Sequence, residues 1–153
     1  DSAGISGWEA PAVTTSAAII HALKTLGATR LSVATPYHDK LNQHETAFLE
    51  ENGFTVDNLI GLGIGASGPA DYVRIAETPL EHVADHVRAA FMPGSDAILI
   101  TCTDFPTLPL IAQLEAEFGV PVVTSNQATF WAMLRAVGID DRLQGFGRLL
   151  SDF

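Results

Sequence analysis

The sequence predicts an α/β fold, in which a parallel sheet is flanked by helices. Two observations carry this prediction. Segments with strand composition alternate along the chain with segments whose apolar residues recur at helical spacing. The segments DAILIT and VPVVT are apolar at nearly every position, which is typical of strands that are buried on both faces. With 153 residues, 47% of them hydrophobic, the chain is long enough for a domain with a substantial core.

Capping and turn residues delimit the first elements. The segment TTSAAIIHALKTLGA predicts a helix with Thr15 or Ser16 as its N-cap and Gly27 at its end. The β-rich segment RLSVATPY predicts a strand that Pro36 ends. Residues 39–52 follow as a second helix, closed by a glycine.

The same alternation continues to residue 138. The segment FTVDNLIGLGI predicts a strand, and TPLEHVADHVRAAF predicts a helix opened by Thr78 and Pro79. The strand DAILIT is followed by the helix LPLIAQLEAEFG, which Gly119 stops. The strand VPVVT and the helix NQATFWAMLRAVG complete the pattern. This order predicts a flavodoxin-like lobe over residues 13–138.

Both ends of the chain lack such a pattern. The sequence does not begin with Met and shows no strand signal before Val13, so we expect residues 1–12 to be the tail of an upstream lobe or a linker. Residues 139–153 have no clear period. We expect this C-terminal tail to pack on another lobe or subunit.

Charge and composition narrow the classes of partner. The formal net charge is −10, from 18 acidic and 8 basic residues, so nucleic acid and anionic membrane surfaces repel the protein at long range. No apolar run approaches the roughly 20 residues of a membrane span. The single cysteine cannot form a disulfide within the chain. We therefore expect a cytoplasmic protein that binds neither nucleic acid nor membrane.

Polar residues follow three of the predicted strands. Tyr37 follows RLSVATP, Cys102 and Thr103 follow DAILIT, and Ser125 and Asn126 follow VPVVT. Ligands of open parallel sheets bind beyond the carboxyl ends of the strands, where helix N-termini attract anions. Hydroxyls, an amide and backbone N–H groups bind carboxylate oxygens, and a thiol at the start of a helix can act as a nucleophile or a proton donor.

Each of these residues also has an ordinary structural explanation. A free cysteine is among the most buried residue types, and Thr, Ser and Asn are common helix caps. For a lone cysteine at a strand end, a structural role is the more frequent explanation. Because several polar groups lie on one edge here, a structural and a functional role of Cys102 are about equally supported.

Two further patterns do not predict cofactor sites. The segment GIGASG matches the dinucleotide-binding glycine pattern, yet Pro69 follows at once and no acidic residue ends a second strand to hold a ribose. His82 and His86 lie four residues apart on a predicted helix, without a third ligand nearby. We therefore expect neither a metal nor an organic cofactor.

The last predicted helix carries an apolar stripe. Phe130, Met133, Leu134 and Val137 recur at helical spacing, and Trp131 lies beside them. We expect this stripe to pack in the core or at an interface between lobes, and not to contact a ligand.

Three segments resemble one enzyme family. They are VTTSAAIIHALKTLGATRLSVATPYHDKLNQ, SDAILITCTDF and LEAEFGVPVVTSNQATFWAMLRAVG. In this order they resemble the maleate isomerase and arylmalonate decarboxylase branch of the aspartate/glutamate racemase superfamily. GFTVDNLIGLGI also looks like family members described as maleate cis-trans isomerases or ectoine-utilisation proteins. The resemblance implies two similar α/β lobes with the active site between them, this chain covering the second lobe, and no metal or organic cofactor.

The resemblance also implies roles for individual residues. Cys102 matches the catalytic cysteine of the second lobe, and Tyr37 matches a tyrosine that binds a substrate carboxylate. The Thr103 N–H matches part of the pocket that binds the same carboxylate. Ser125 and Asn126 lie in the family's SN loop as further substrate-binding residues.

Several functions stay open on these residues. Our first hypothesis is a cofactor-independent isomerase in which the Cys102 thiolate adds to the cis double bond of a small, maleate-like dicarboxylate. The alternatives are a decarboxylase or racemase, in which Cys102 protonates an enediolate, and a carboxylate-binding module without catalysis. The expected partners are the small dicarboxylate, a first lobe of the same protein and further copies of it in a homo-oligomer.

Overall fold

The computed structural model describes residues 12–153 as four strands and seven α-helices. The strands are β1 (Arg30–Tyr37), β2 (Thr55–Ile64), β3 (Ala97–Ile100) and β4 (Val122–Thr124). The helices are α1 (Thr15–Thr25), α2 (Asp39–Glu51), α3 (Val73–Ala76), α4 (Leu80–Ala90), α5 (Ile111–Phe118), α6 (Ser125–Ala136) and α7 (Arg148–Asp152), with 3-10 turns at Pro69–Tyr72 and Leu108–Leu110. No helix within these residues is long and apolar enough to cross a membrane.

The strands form one parallel sheet in the order β2-β1-β3-β4, which confirms the predicted α/β fold. Successive residues of a strand point to opposite faces, so the buried strands divide the core in two. Leu31, Val33 and Leu99 pack towards α1, α6 and α7. Ile98 and Ile100 pack towards α4 and α5. All five side chains are fully buried.

The chain reverses its direction across the sheet between β1 and β3. From β1 it passes through α2 to the edge strand β2, and from β2 it passes through α4 to β3 and then through α5 to β4. Right-handed crossovers in opposite directions place their helices on opposite faces. Leu49 of α2 therefore joins the α1 side of the core, and Val83 of α4 joins the other. Such a reversal leaves a crevice at the carboxyl ends of β1 and β3.

Hydroxyl caps start α1 and α6, whose first residues lie at this crevice. The Thr14 side chain accepts a hydrogen bond from the Ala17 N–H at 3.3 Å, so the predicted cap at Thr15 or Ser16 is wrong by one or two residues. Three consecutive hydroxyl residues offer similar caps, and the sequence alone does not distinguish them. Thr124 forms a reciprocal capping box with Gln127.

The inward face of α6 follows the predicted stripe only at Leu134, which packs against the core. Phe130, Met133 and Val137 are 44%, 46% and 63% exposed, whereas Trp131 is 3% exposed and Ala132 is also buried. Core packing is therefore wrong for the three exposed residues. The cause is that α6 packs closely against α1, which selects the small side chains of α6 together with one large ring. Packing of the exposed residues against another lobe stays a prediction.

The C-terminal tail contains a short helix that packs on its own lobe. Leu149 and Leu150 are buried in the core on the α1 side of the sheet. Contact of the other residues of 139–153 with another lobe or subunit stays a prediction. The tail predicted over residues 1–12 lies outside the described residues except for Ala12.

A buried carboxylate ties this tail to the sheet. Glu115 Oε1 accepts a hydrogen bond from the Val122 N–H at 3.0 Å, and Oε2 accepts one from the Arg148 N–H at 2.9 Å. Gly147 lies so close to Glu115 that a Cβ there would lie 3.1 Å from Oε1 and 2.5 Å from the Ile111 side chain. One side chain of α5 therefore holds both the start of β4 and the start of α7.

Replacing Glu115 by Ala should destabilise the protein by about 3 kcal/mol, because two backbone N–H groups lose a charged acceptor in a buried place. Urea denaturation of the full-length protein measures this change. Glu50→Ala, on the exposed side of α2, is the matched control and should change stability by less than about 0.5 kcal/mol. Equal midpoints for the two variants would contradict the assigned role of Glu115.

Candidate active site

A cavity of about 370 Å³ lies at the crevice between the carboxyl ends of β1 and β3. In addition to His44 and Glu45 of α2, its polar side includes hydroxyls and one thiol, contributed by α1, the end of β1, the loop after β3 and the start of α6. These residues are Thr15, Ser16, Tyr37, Thr101, Cys102, Thr103 and Ser125. Its apolar wall is formed by Ile19, Phe48, Leu49 and Leu99.

The structure brings four of the five sequence-predicted site residues together. Tyr37, Cys102, Thr103 and Ser125 all line this cavity. Asn126 does not line it, because its side-chain Nδ2 donates a hydrogen bond of 2.8 Å to the Thr103 carbonyl. Asn126 therefore fixes the loop after β3 to the start of α6.

Two helix N-termini open towards the cavity. Thr15 and Ser16 lie in the first turn of α1, and Ser125 begins α6. The unpaired N–H groups and the dipole of each helix favour an anion at this end. No Lys or Arg of the described chain lines the cavity. The groups of this cavity that suit an anion are therefore its hydroxyls and the two helix N-termini.

Tyr37 keeps its proton in this site. Burial raises the pKa of the Tyr37 phenol well above its usual range, and hydrogen bonding with Cys102 and the charges of Cys102, Glu45 and Asp104 raise this pKa further. The phenol is therefore a hydrogen-bond donor that lies beside the Cys102 thiol.

Asn42 and Gly61 position Tyr37, and the sequence analysis missed both. The Asn42 side chain accepts a hydrogen bond from the Thr35 hydroxyl at 2.6 Å and donates one to the Tyr37 carbonyl at 3.2 Å. A Cβ at Gly61 would lie 2.2 Å from both the Asn42 amide nitrogen and the Tyr37 carbonyl. A glycine inside a predicted strand is the signal that could have indicated this close approach.

The backbone at Cys102 is strained. Its φ of 87° is the only positive φ of a residue other than glycine among residues 12–153. An L residue in this region costs about 1 kcal/mol or more. Such outliers persist where the surrounding structure enforces them, and they cluster at functional sites. The loop after β3 thus holds the thiol at the mouth of the crevice at a cost in stability.

Glu45 is a further titratable group of the cavity that the sequence analysis missed. It lies on α2 and lines the cavity with Tyr37 and Cys102. Burial raises the pKa of the Glu45 carboxyl, and the nearby Thr101 hydroxyl lowers this pKa in part. Thr101 Oγ1 is itself buried and makes no hydrogen bond of ordinary geometry within residues 12–153.

The patterns that the sequence analysis set aside have structural explanations. Gly63, Gly65 and Gly68 all have positive φ; Gly63 lies near the end of β2, and Gly65 and Gly68 lie in the turn that follows. His86 is buried, and its Nε2 lies 2.9 Å from the Thr35 carbonyl. Burial lowers the pKa of His86, so its neutral ring donates this hydrogen bond. Within the described chain, no three His, Cys, Asp or Glu side chains could hold a metal ion.

Comparison with known proteins identifies the class and then the family. The chain belongs to the branch of the aspartate/glutamate racemase superfamily that contains maleate isomerases and arylmalonate decarboxylases. Within that class it is a member of the arylmalonate decarboxylase family, whose model matches residues 6–150. It is 34% identical to arylmalonate decarboxylase of Bordetella bronchiseptica over 145 residues, which are 93% of this chain and 58% of that protein. It is 33% identical to maleate isomerase of Nocardia farcinica, covering 87% of this chain and 51% of that protein.

Solved structures of such proteins share the fold. The maleate isomerase of Pseudomonas putida S16 matches 93% of this chain and 56% of its own with a TM-score of 0.86 at 30% identity. A double mutant of arylmalonate decarboxylase in its liganded form matches 94% of this chain and 60% of its own with a TM-score of 0.83 at 32% identity. The chain spans somewhat more than half the length of the relatives that it matches.

The strain at Cys102 predicts that Cys102→Gly is more stable than Cys102→Ala, by about 1 kcal/mol, because glycine adopts positive φ without a steric cost. Thermal and urea unfolding of the full-length protein measure the difference. The control is Ala47→Gly on the exposed side of α2, which should instead lose about 1 kcal/mol. A glycine variant at position 102 that is no more stable than the alanine variant would show that the backbone there is relaxed.

Proposed function

We propose that this chain is the Cys102-bearing lobe of a cofactor-independent cis-trans isomerase that acts on a small, maleate-like dicarboxylate. The observation that supports this most directly is that the Cys102 thiol and the protonated Tyr37 phenol line one cavity at the crevice where the strand order reverses. A crystal structure of a Nocardia farcinica maleate cis-trans isomerase mutant contains a covalently bound succinylcysteine intermediate. In that mutant a serine replaces one cysteine, so the adduct is on another cysteine of that protein; it supports covalent thiol chemistry in a relative.

In the proposed reaction, the Cys102 thiolate adds to one carbon of the cis double bond. The sulfur electron pair forms the C–S bond, and the π pair moves onto the other carbon and its carboxylate as an enediolate. The bond between the two carbons is then single and rotates. Return of the electron pair re-forms the double bond in the trans geometry and expels the thiolate.

The charge that develops on the carboxylate needs preorganised donors, which supply a large share of the barrier reduction in such reactions. We assign this role to the Tyr37 hydroxyl, the Thr103 N–H and the Ser125 hydroxyl. Asn126 acts by positioning, because its amide holds the Thr103 carbonyl and thereby orients the neighbouring peptide. Asn42 acts on Tyr37 in the same way.

We further propose that a first lobe of the same protein closes the cavity and supplies a second residue opposite Cys102. Support comes from the relatives, which are considerably longer than the part this chain matches. The cavity lies at one edge of the lobe, where a second lobe could cover it. The protein as a whole is proposed to be a homo-oligomer.

The apolar wall of the cavity favours a second candidate, decarboxylation of an aryl- or alkyl-substituted malonate. Ile19, Phe48 and Leu49 could bind an apolar substituent that maleate lacks. In that reaction the C–CO₂ bond breaks, CO₂ leaves, and the electron pair remains as an enediolate. The Cys102 thiol then gives its proton to the α-carbon and regains one from water. A racemase would use the same protonation step.

Cys102→Ser should abolish turnover, because a serine hydroxyl is far less acidic and less nucleophilic than a thiol. The change in volume is small, so unfolding free energy should fall by no more than about 1 kcal/mol. The full-length protein is assayed on maleate and on aryl- and alkylmalonates, and thermal melting reports its folding.

Mass spectrometry of quenched turnover separates the two chemistries. A succinyl adduct on the peptide that contains Cys102 supports isomerisation, and release of CO₂ without an adduct supports decarboxylation. Full activity in a folded Cys102→Ser variant would overturn both. A folded wild type that binds dicarboxylates but turns over none would identify the non-catalytic binding module.

A further inference from the structure

Glu45 places a carboxyl group in a cavity that is otherwise suited to anions. It projects from α2 onto the lining that it shares with Tyr37, Thr101 and Cys102. No Lys or Arg within residues 12–153 lines this cavity to balance its charge. An ionised Glu45 would therefore repel a bound carboxylate across a short distance in a partly desolvated site.

The Thr101 hydroxyl is the second unusual group at this position. Its Oγ1 is buried, lies near Glu45 and makes no hydrogen bond of ordinary geometry among the described residues. A buried hydroxyl without a partner is costly, and a native structure retains one where a ligand or solvent completes its bonding. Thr101 and Glu45 together thus form an incomplete polar pair that faces the cavity.

The other titratable groups around the cavity are few. They are Tyr37 at the end of β1, Cys102 and Asp104 in the loop after β3, and His44 on α2 itself. The linings from α1 and α6 contribute only the neutral hydroxyls of Thr15, Ser16 and Ser125 and the side chain of Ile19. Of these groups, His44 is the neighbour of Glu45 on α2 and lines the same cavity, so it is the group to separate from Glu45 by experiment.

We propose that Glu45 is a specificity-determining residue that receives one carboxylate of a dicarboxylate as the neutral acid, with Thr101 completing the hydrogen bonding. The inference rests on the proposed function, because it takes the cavity to be a carboxylate site. The site then binds a dicarboxylate together with one proton, which lies between Glu45 and the ligand. Charge-assisted O–H···O⁻ hydrogen bonds of this kind are among the stronger ones in proteins.

The raised pKa of Glu45 agrees with this geometry, since burial already favours its neutral form. A bound carboxylate raises this pKa further, because two carboxylates at one site cannot both ionise without repulsion. As pH rises through the pKa of free Glu45, the proton is lost and the affinity falls by about tenfold per pH unit.

Calorimetric titration of the full-length protein with malonate, from pH 5 to pH 9, tests the proposal. In buffers of different ionisation enthalpy, the wild type should take up close to one proton on binding above the pKa of Glu45. In Glu45→Gln, which keeps an amide donor but does not ionise, this uptake should disappear, and malonate should bind more tightly than to the wild type at pH 9. Glu45→Leu should bind malonate more weakly than Glu45→Gln at every pH, because it lacks the donor.

Two control variants make the result specific. Glu50→Gln, on the exposed side of α2, should bind malonate with the wild-type pH dependence. His44→Gln should keep the proton uptake as well. Loss of the uptake in His44→Gln, or its survival in Glu45→Gln, would overturn the assignment to Glu45 while leaving the carboxylate site intact. A wild type that binds no malonate at any pH would overturn the carboxylate site and the role of Glu45 together.

Discussion

The reversal of strand order between β1 and β3 is the constraint on which the site depends. Because the crossovers run in opposite directions from this point, α2 and α5 lie on opposite faces of the sheet. No helix of residues 12–153 covers the carboxyl ends of β1 and β3 between them. The first residues of α1 and α6 then line the gap, with their helix N-termini directed into it. The thiol and phenol are adjacent because β1 and β3 are neighbours in the sheet, although 65 positions separate Tyr37 from Cys102.

Around this gap, the conformation of the backbone positions the site residues as much as contacts between side chains do. The pairing of β1 with β2 shifts its register between Thr35 and Tyr37, and Asn42 satisfies the backbone there at the one place where a glycine of β2 leaves room. The loop after β3 holds Cys102 in a left-handed conformation and is tied to α6 through Asn126. The site is thus assembled from irregularities at strand ends, and the regular core behind them keeps those irregularities in place.

Periodicity and capping predicted the main helices of the lobe. Composition predicted β3 and β4, because strands that are buried on both faces are apolar at nearly every position. The same reasoning brought Tyr37, Cys102 and Ser125 to one edge, since parallel strands share their direction. It failed on α6, where close packing against α1 selects Ala132 over the larger Met133. The sequence analysis also missed Glu45. Its helix, α2, is mostly polar, and a polar pattern does not indicate which carboxyl group lines a cavity formed by other elements.

The left-handed backbone at Cys102 has a consequence for how such a protein evolves. In a gene copy that is no longer under selection for chemistry, selection for stability alone favours substitutions that relieve strain. Glycine is the residue that fits this backbone best. The cysteine codon is one base change from a glycine codon, so the route is short. Consider lineages that keep this fold but have lost turnover. In them, replacement of the cysteine at position 102 by glycine should be more frequent than replacement of any buried residue of β3.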